Sequence, residues 1–458
     1  MPGNEKLPPL EQNSPLLTFL KQDAVAACLL LLSAVIAMVC ANSAVHEWYH
    51  NLWHQYAGFS LGDFALKYSL HHWVNDGLMS IFFFLVGLEI KRELLVGELA
   101  SIRKATLPAA AALGGMIFPA LIYTVFNFGK PTAGGWGVPM ATDIAFATGC
   151  LALLGRRIPA SLSVFLMALA IVDDLGSVTV IALFYSDQIA LRPLIIGTAM
   201  IVLSYGLARK GVRATWVYVA IGAVVWFEFL QSGVHATIAG VLLAFTIPPD
   251  AQYETPNFFG RMSILLRRFN DAEDFANPLL VNGRQQQIIR SILRECHHVE
   301  APLQRIEHLL HPFSVFLIMP VFAFANSGVH LDWGEVPRMM GESVTLGIIF
   351  GLILGKQIGI MSFCWVTVKL GWAELPKGVK WIQIYGVSWL AAIGFTMALF
   401  VNELAFKNVE DAEIYLAEGK VGTFTASIIA GIVGVLILRA VCPLPPQGAE
   451  SEAPRKGH

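Results

Sequence analysis

The sequence predicts an all-α polytopic membrane protein of about twelve transmembrane helices, and three observations carry that prediction. Charge is scarce: 14% of the 458 residues are charged, against 55% hydrophobic, where soluble domains run near ~25% charged. The apolar residues come in runs of about 18 or more, long enough for a helix to cross a ~30 Å hydrocarbon layer. These runs also lack the alternating apolar and polar faces of a soluble core helix, as AVAACLLLLSAVIAMVCAN at 24–42 illustrates.

Taken in order, spans are expected near 24–42, 73–90, 105–127, 134–154, 160–184, 191–208, 214–230, 233–247, 312–329, 342–367, 383–403 and 421–441. The basic residues test this count. With an inside N-terminus, the inside loops hold Lys91, Arg92, Arg103 and Lys104, then Arg156 and Arg157, then Arg209, Lys210 and Arg213. They continue with seven arginines between 261 and 305, and with Lys369, Lys377 and Lys380. The outside loops hold only Lys67, Lys130, Arg192, Arg338, Lys407 and Lys420. The positive-inside rule therefore favours an even count with both termini cytoplasmic.

The chain thus divides into an N-terminal tail (1–23), eight spans (24–247), a long cytoplasmic loop (248–311), four further spans (312–441) and a tail (442–458). Within the first group, 43–72 is an external, aromatic-rich segment. In it YAGFSLGDFALKY reads as two short strands around a Gly62-Asp63 turn. The loop is expected to be partly helical near 262–310. The proline-rich polar tail is expected to be disordered.

Composition also excludes classes. A net charge of -2 argues against a nucleic-acid partner. The six cysteines are scattered without CxxC pairs, so neither a disulfide framework nor a zinc ribbon is expected. The first twenty residues carry no leader pattern, and the first span is expected to be retained. His46-Glu47-Trp48-Tyr49-His50 matches the HExxH pattern of zinc proteases, but it lies in an external loop rather than on a cavity-lining helix. A membrane aspartyl protease needs its two acids on facing helices. A channel needs a repeated filter loop, and none is visible.

Charge inside the spans is the informative anomaly. One Asp or Lys at a span centre costs roughly 2.5–3.5 kcal/mol on insertion scales, so such groups face a cavity or a partner. Four qualify: Asp143 in PMATDIAFATG, Asp173 and Asp174 in LAIVDDLGSVTVIALF, and Lys356 in GLILGKQIGIM. Neighbouring helical residues point about 100° apart, so one aspartate can face a cavity while the other meets a neighbouring helix. Like charges this close resist being ionised together in a low dielectric. A carboxylate that exchanges its proton and, once ionised, offers hard oxygens to a hard cation meets the minimum requirement for exchange. The plain alternative is a buried ion pair that only joins helices, but two adjacent acids exceed what one lysine needs.

The span with Asp143 carries breakers: glycines at both ends, Pro139, and the polar Thr142-Asp143 step. AAIGFTMALF has a similar weak point at Gly394 and Thr396. Interrupted helices at corresponding places in two halves point to a transporter site at an inverted-repeat interface. There Asp143 would offset helix N-termini and Lys356 helix C-termini. The plain alternative is that these glycines only permit close packing.

At this point the segments FFFLVGLEIKREL, ATDIAFATGCLALL, ALAIVDDLGSVTVIALFYS, RIEHLLHPFSVFLIMPVFAFANSGV, LGKQIGI and IGFTMALFV together resemble those of the bacterial NhaA sodium–proton antiporter family, over roughly residues 20–440. The resemblance implies an inner-membrane protein with inverted repeats and two crossed discontinuous helices. It implies exchange of Na+ or Li+ for more than one proton, regulation of internal pH and sodium, and no cofactor beyond the transported ions. By resemblance, Asp174 and Asp173 hold cation and proton, Lys356 pairs with Asp173, and Thr142 and Asp143 help line the site. A pH-sensing cluster maps onto Glu89, Arg92, Glu93, Glu307, His308 and His311, and the hairpin near 56–68 onto a homodimer contact. A sodium-coupled symporter of a small organic solute is the alternative; it needs a larger polar pocket than these spans offer. Gln357 departs from the family pattern, which has proline after the lysine. The 248–311 loop and the tail are longer than the pattern.

Overall fold

In a chain that spans lipid, backbone groups find no water and must bond within their own segment, so apolar runs become helices. A computed structural model describes residues 15–61, 64–186, 189–250, 255–272, 283–299, 301–330 and 334–443. Every segment expected to span is helical over most of its length there, two of them with a short break. Among the described residues nine helices are long and apolar enough to cross a membrane, or ten if the bent pair Trp381–Ala391 and Phe395–Phe406 is one span. The sequence reading has about twelve, and two account for the difference. The helix Met79–Val96 carries Glu89, Lys91, Arg92 and Glu93 in its last turns, and Ala236–Thr246 has only 11 residues.

Boundaries moved where a helix runs past its apolar stretch. The expected ninth span begins not at 312 but at Pro302, the start of an amphipathic helix that leads into it. The last begins at Ala412 rather than 421. The helices Thr255–Asp271 and Gly283–Val299 occupy much of the expected loop. The tail lies outside the described residues apart from its first two positions.

The described chain forms two compact units. The first takes in Met1–Met79, Glu93–Ser186 and Ser314–His458. Its strands Tyr56–Leu61 and Phe64–Ser69 pair antiparallel, from Tyr56 opposite Ser69 to Leu61 opposite Phe64. The Gly62-Asp63 turn itself lies outside the described residues. The Trp73 indole donates to Ala57 O at 2.9 Å, tying the hairpin to the helix that follows. Nearby, Asn326 Nδ2 donates to Asn75 Oδ1 at 2.8 Å, and His71 Nε2 lies 3.1 Å from Asn326 Oδ1.

One contact in this unit places the site. Gly351, Gly355 and Gly359 recur every fourth residue and so share a face through the turn that precedes Lys356 and the helix it opens (Lys356–Lys369). A side chain at Gly355 would meet the backbone of Pro119, and one at Gly359 the backbone of Gly114. Both partners belong to Ile102–Asn127. Small residues let the two backbones approach, as is usual where packing rather than hydrophobic burial joins membrane helices. The turn Gly351–Gly355 is π-helical and ends against Lys356, a local irregularity that often marks function.

The second unit takes in Ser80–Arg92 and Asp187–Phe313. Leu88, Tyr218, Ala244, Ile247, Leu303 and Ile306 form a buried cluster in it. Gly87 and Gly240 allow close approach there, Gly87 facing Ala244 and Gly240 facing Ser80 O. Lys91 donates to Phe245 O at 2.7 Å and Ile247 O at 2.5 Å, capping carbonyls at the negative end of Ala236–Thr246.

Candidate functional site

The site lies in the first unit, where two helices stop inside apolar sequence. The 3-10 turn Pro131–Met140 gives way at Ala141–Asp143 to extended chain before Ile144–Leu154 begins. The other break, Ala392–Gly394, separates Trp381–Ala391 from Phe395–Phe406 at a 48° bend. Each break leaves amides and carbonyls that lipid cannot satisfy. They satisfy one another.

Asp143 N donates to Ile393 O at 2.7 Å. Asp143 Oδ1 accepts Phe146 N at 3.0 Å, capping its own helix. Its Oδ2 accepts Thr396 N at 3.1 Å and Thr396 Oγ1 at 2.5 Å across the second break. Phe395 N donates to Ser427 Oγ at 3.2 Å, from the long helix Ala412–Val441. Asp143 is therefore an anchor of both helix starts, with both carboxylate oxygens engaged.

Beside this junction sits the charge pair. Lys356 Nζ donates to Asp173 Oδ2 at 2.8 Å, with both side chains 0% exposed. The ammonium also donates to Thr142 Oγ1 at 2.9 Å, and that hydroxyl donates to Ala391 O at 2.7 Å. A chain of donors thus runs from lysine through Thr142 to the last carbonyl before the second break. Asp174, the next residue along Ala160–Phe184, is equally buried. The structure bonds Lys356 to both Asp173 and Thr142, with Asp174 next to Asp173 in the chain, while Asp143, adjacent to Thr142 in the chain, bonds instead across the breaks to Ile393 and Thr396.

Gln357, where the resemblance implies proline, contributes a fastening of its own. Its carbonyl accepts Ser388 Oγ, and its amide donates to Ser388 O at 3.3 Å. It thereby fastens the lysine helix to Trp381–Ala391, one turn before the break. Thr396, Ser427, Ser388 and Gln357 are the residues whose bonding sequence reasoning missed. Hydroxyls and amides are unremarkable in membrane helices until their partners are known.

The expected sensor residues are divided. In the second unit Arg92 is ion-paired with Glu307, and Arg92 and His308 lie close enough to His311 to act on it electrostatically. Glu89 lies on the same helix as Arg92. Glu93, in the first unit, accepts Glu98 N at 3.1 Å. As for the HExxH segment, His50 and His54 stack at 4.2 Å on His46–His54. Among the described residues no three His, Cys, Asp or Glu side chains group to hold a metal ion.

Apolar helices folded around buried, mutually bonded charges define a membrane transporter. Residues 17–438 match the family model described as Na+/H+ antiporter 1. The chain is 45% identical to the Na(+)/H(+) antiporter NhaA of Wolinella succinogenes, over 93% of each chain. It is 46% identical to the NhaA of Oleidesulfovibrio alaskensis, over 96% of this chain and 97% of that one. With NhaA 1 of Saccharophagus degradans it shares 44% identity, over 93% and 91%. The chain belongs to the NhaA Na+/H+ antiporter family.

Proposed function

We propose that this antiporter exports cytoplasmic Na+ or Li+ in exchange for protons by alternating access, with Asp174 and Asp173 as the shared cation and proton site. The observation that carries the reading is the buried Lys356–Asp173 pair, with Asp174 adjacent, beside two helix breaks that satisfy each other. Ionised carboxylates supply hard oxygens for a hard cation, and protons compete for the same oxygens.

In the inward-facing state Asp174 loses its proton as cytoplasmic pH rises and binds the cation. Neutralising the site lowers the barrier to carrying it past apolar surroundings. Outside, protons displace the cation. Asp173 alternates between its bond to Lys356 and a proton, so more than one proton returns per cation. The interior-negative potential then drives the cycle, at ~2.3 kcal/mol per charge per 100 mV.

The finer architecture belongs to the same proposal: twelve spans, inverted repeats, crossed broken helices, and cytoplasmic termini in a bacterial inner membrane. The helical character of all twelve segments and the basic inside loops support it. The open edges of the external strand pair suit a homodimer contact. The Arg92–Glu307 pair with nearby histidines suits pH control of internal sodium. The symport reading is dropped, because the family match and the relatives named are antiporters.

The test is dissipation of a preset ΔpH in everted vesicles on adding Na+, Li+ or K+. Na+ or Li+ is expected to collapse the gradient, and Asp174→Asn to abolish the response. A gradient that survives both ions in folded protein would sink the proposal.

A further inference from the structure

On the helix carrying the aspartate pair, one buried hydroxyl is unaccounted for. Ser177 is 3% exposed, and its Oγ has no hydrogen-bond partner among the described residues. Helical serines and threonines ordinarily bond back to the carbonyl four residues earlier. Thr179 does so to Leu175 O at 2.8 Å, and Ser186 to Ala182 O at 2.8 Å. A buried polar atom left without a partner is disfavoured and calls for a ligand or an ion to explain it.

Helix geometry says where that hydroxyl stands. At about 100° per residue, Asp173 and Asp174 point about 100° apart, and Ser177 projects about 40° from the first and about 60° from the second. It therefore lies between the two carboxylates, one turn further along, at a spacing where side chains meet. The neighbouring direction is closed: a side chain at Gly176 would strike Met116 of Ile102–Asn127. Asp173 Oδ1 also lacks a hydrogen-bond partner among the described residues, its other oxygen being held by Lys356.

The other hydroxyl bonded at the charge pair is committed. Thr142 Oγ1 donates to Ala391 O and accepts from Lys356. A hard cation gathers several oxygen ligands, and adjacent carboxylates alone leave its shell incomplete. We infer that Ser177 supplies a hydroxyl oxygen to the transported cation and raises the preference for Na+ over Li+. Li+ is smaller and is satisfied by fewer oxygens, so an additional ligand favours the larger ion. The inference rests on Asp173 and Asp174 being the cation site.

The experiment compares parent, Ser177→Ala, Ser177→Cys and Asp174→Asn in proteoliposomes, measuring exchange kinetics for Na+ and Li+. Alanine removes one atom, and cysteine keeps the volume but replaces hard oxygen with soft sulfur. Both are expected to raise the Na+ KM roughly tenfold, the Li+ KM by clearly less, with the loss on KM rather than kcat. Unchanged KM values in Ser177→Ala, a parent-like Ser177→Cys, or equal shifts for both ions would overturn the inference. Exchange that persists in Asp174→Asn would instead overturn the underlying site, whatever the serine variants do.

Discussion

Lys356 and Asp173 form a pair that can be broken from either side, and the two sides differ from removal of both. Breaking a buried ion pair by removing one partner costs about 3–5 kcal/mol, because an uncompensated charge remains, whereas replacing both is often nearly neutral. Lys356→Ala is therefore expected to lower the melting temperature of the purified protein, and the Lys356→Ala, Asp173→Asn double variant to recover part of that loss. Additive losses would mean that the two side chains do not stabilise each other. Asp143 makes a different prediction, since its carboxylate serves three donors. Asp143→Ala should cost more than the ~1 kcal/mol of an ordinary N-cap, seen as a larger melting shift than Thr396→Val produces. The charged residues were legible in the sequence because charge inside apolar runs is rare. Ser427, Ser388 and the second role of Thr142 were not, because a hydroxyl acquires meaning only from the partner that folding brings to it.

Breaks and close contacts belong to the scale of elements. Pro139, Thr142-Asp143 and Gly394 announced both interruptions, because a polar Thr-Asp step beside breakers in an apolar run fits a lined break better than close packing alone. The π turn Gly351–Gly355 was not announced, for its sequence fits an ordinary helix equally well. Nor were the helix starts at Pro302 and Ala412, because hydropathy marks the lipid-embedded part of a helix and not its polar extension. The glycine face beside Lys356 yields a prediction of this scale. Gly355→Leu and Gly359→Leu should push the lysine helix off Pro119 and Gly114, and lower both stability and exchange. Gly260→Ala, where a side chain meets nothing within 4 Å, should leave both unaltered. Equal behaviour of the three in thermal melts and transport would show that the glycine face places nothing.

At the scale of the whole molecule, pH acts on more than the transported proton. His71, beside Asn75 and Asn326, is held below its ordinary value chiefly by burial, with Lys420 adding to the effect and Glu403 and the Asn326 bond opposing it. A histidine depressed in the folded state stabilises above its unfolded value, near ~6.5, and that contribution is lost as pH falls through the folded value. Melting temperature should thus fall between about pH 7 and 5, and fall less in His71→Asn. A variant as acid-sensitive as the parent would exonerate His71.

The separation of the charged pair along the chain has a consequence for how the protein is made. Asp173 and Lys356 are 183 residues apart. At ribosomal rates of about 5–20 residues per second, the aspartate leaves the ribosome roughly 10–40 s before its partner exists. For that interval Asp173 must remain protonated, or stay near water at the insertion machinery, since its countercharge has not been synthesised. The pair can close only once Lys356 has emerged, and the bonds of Asp143 to Thr396 and of Phe395 to Ser427 form later still, so the junction around the charges is completed after the charges themselves are in place.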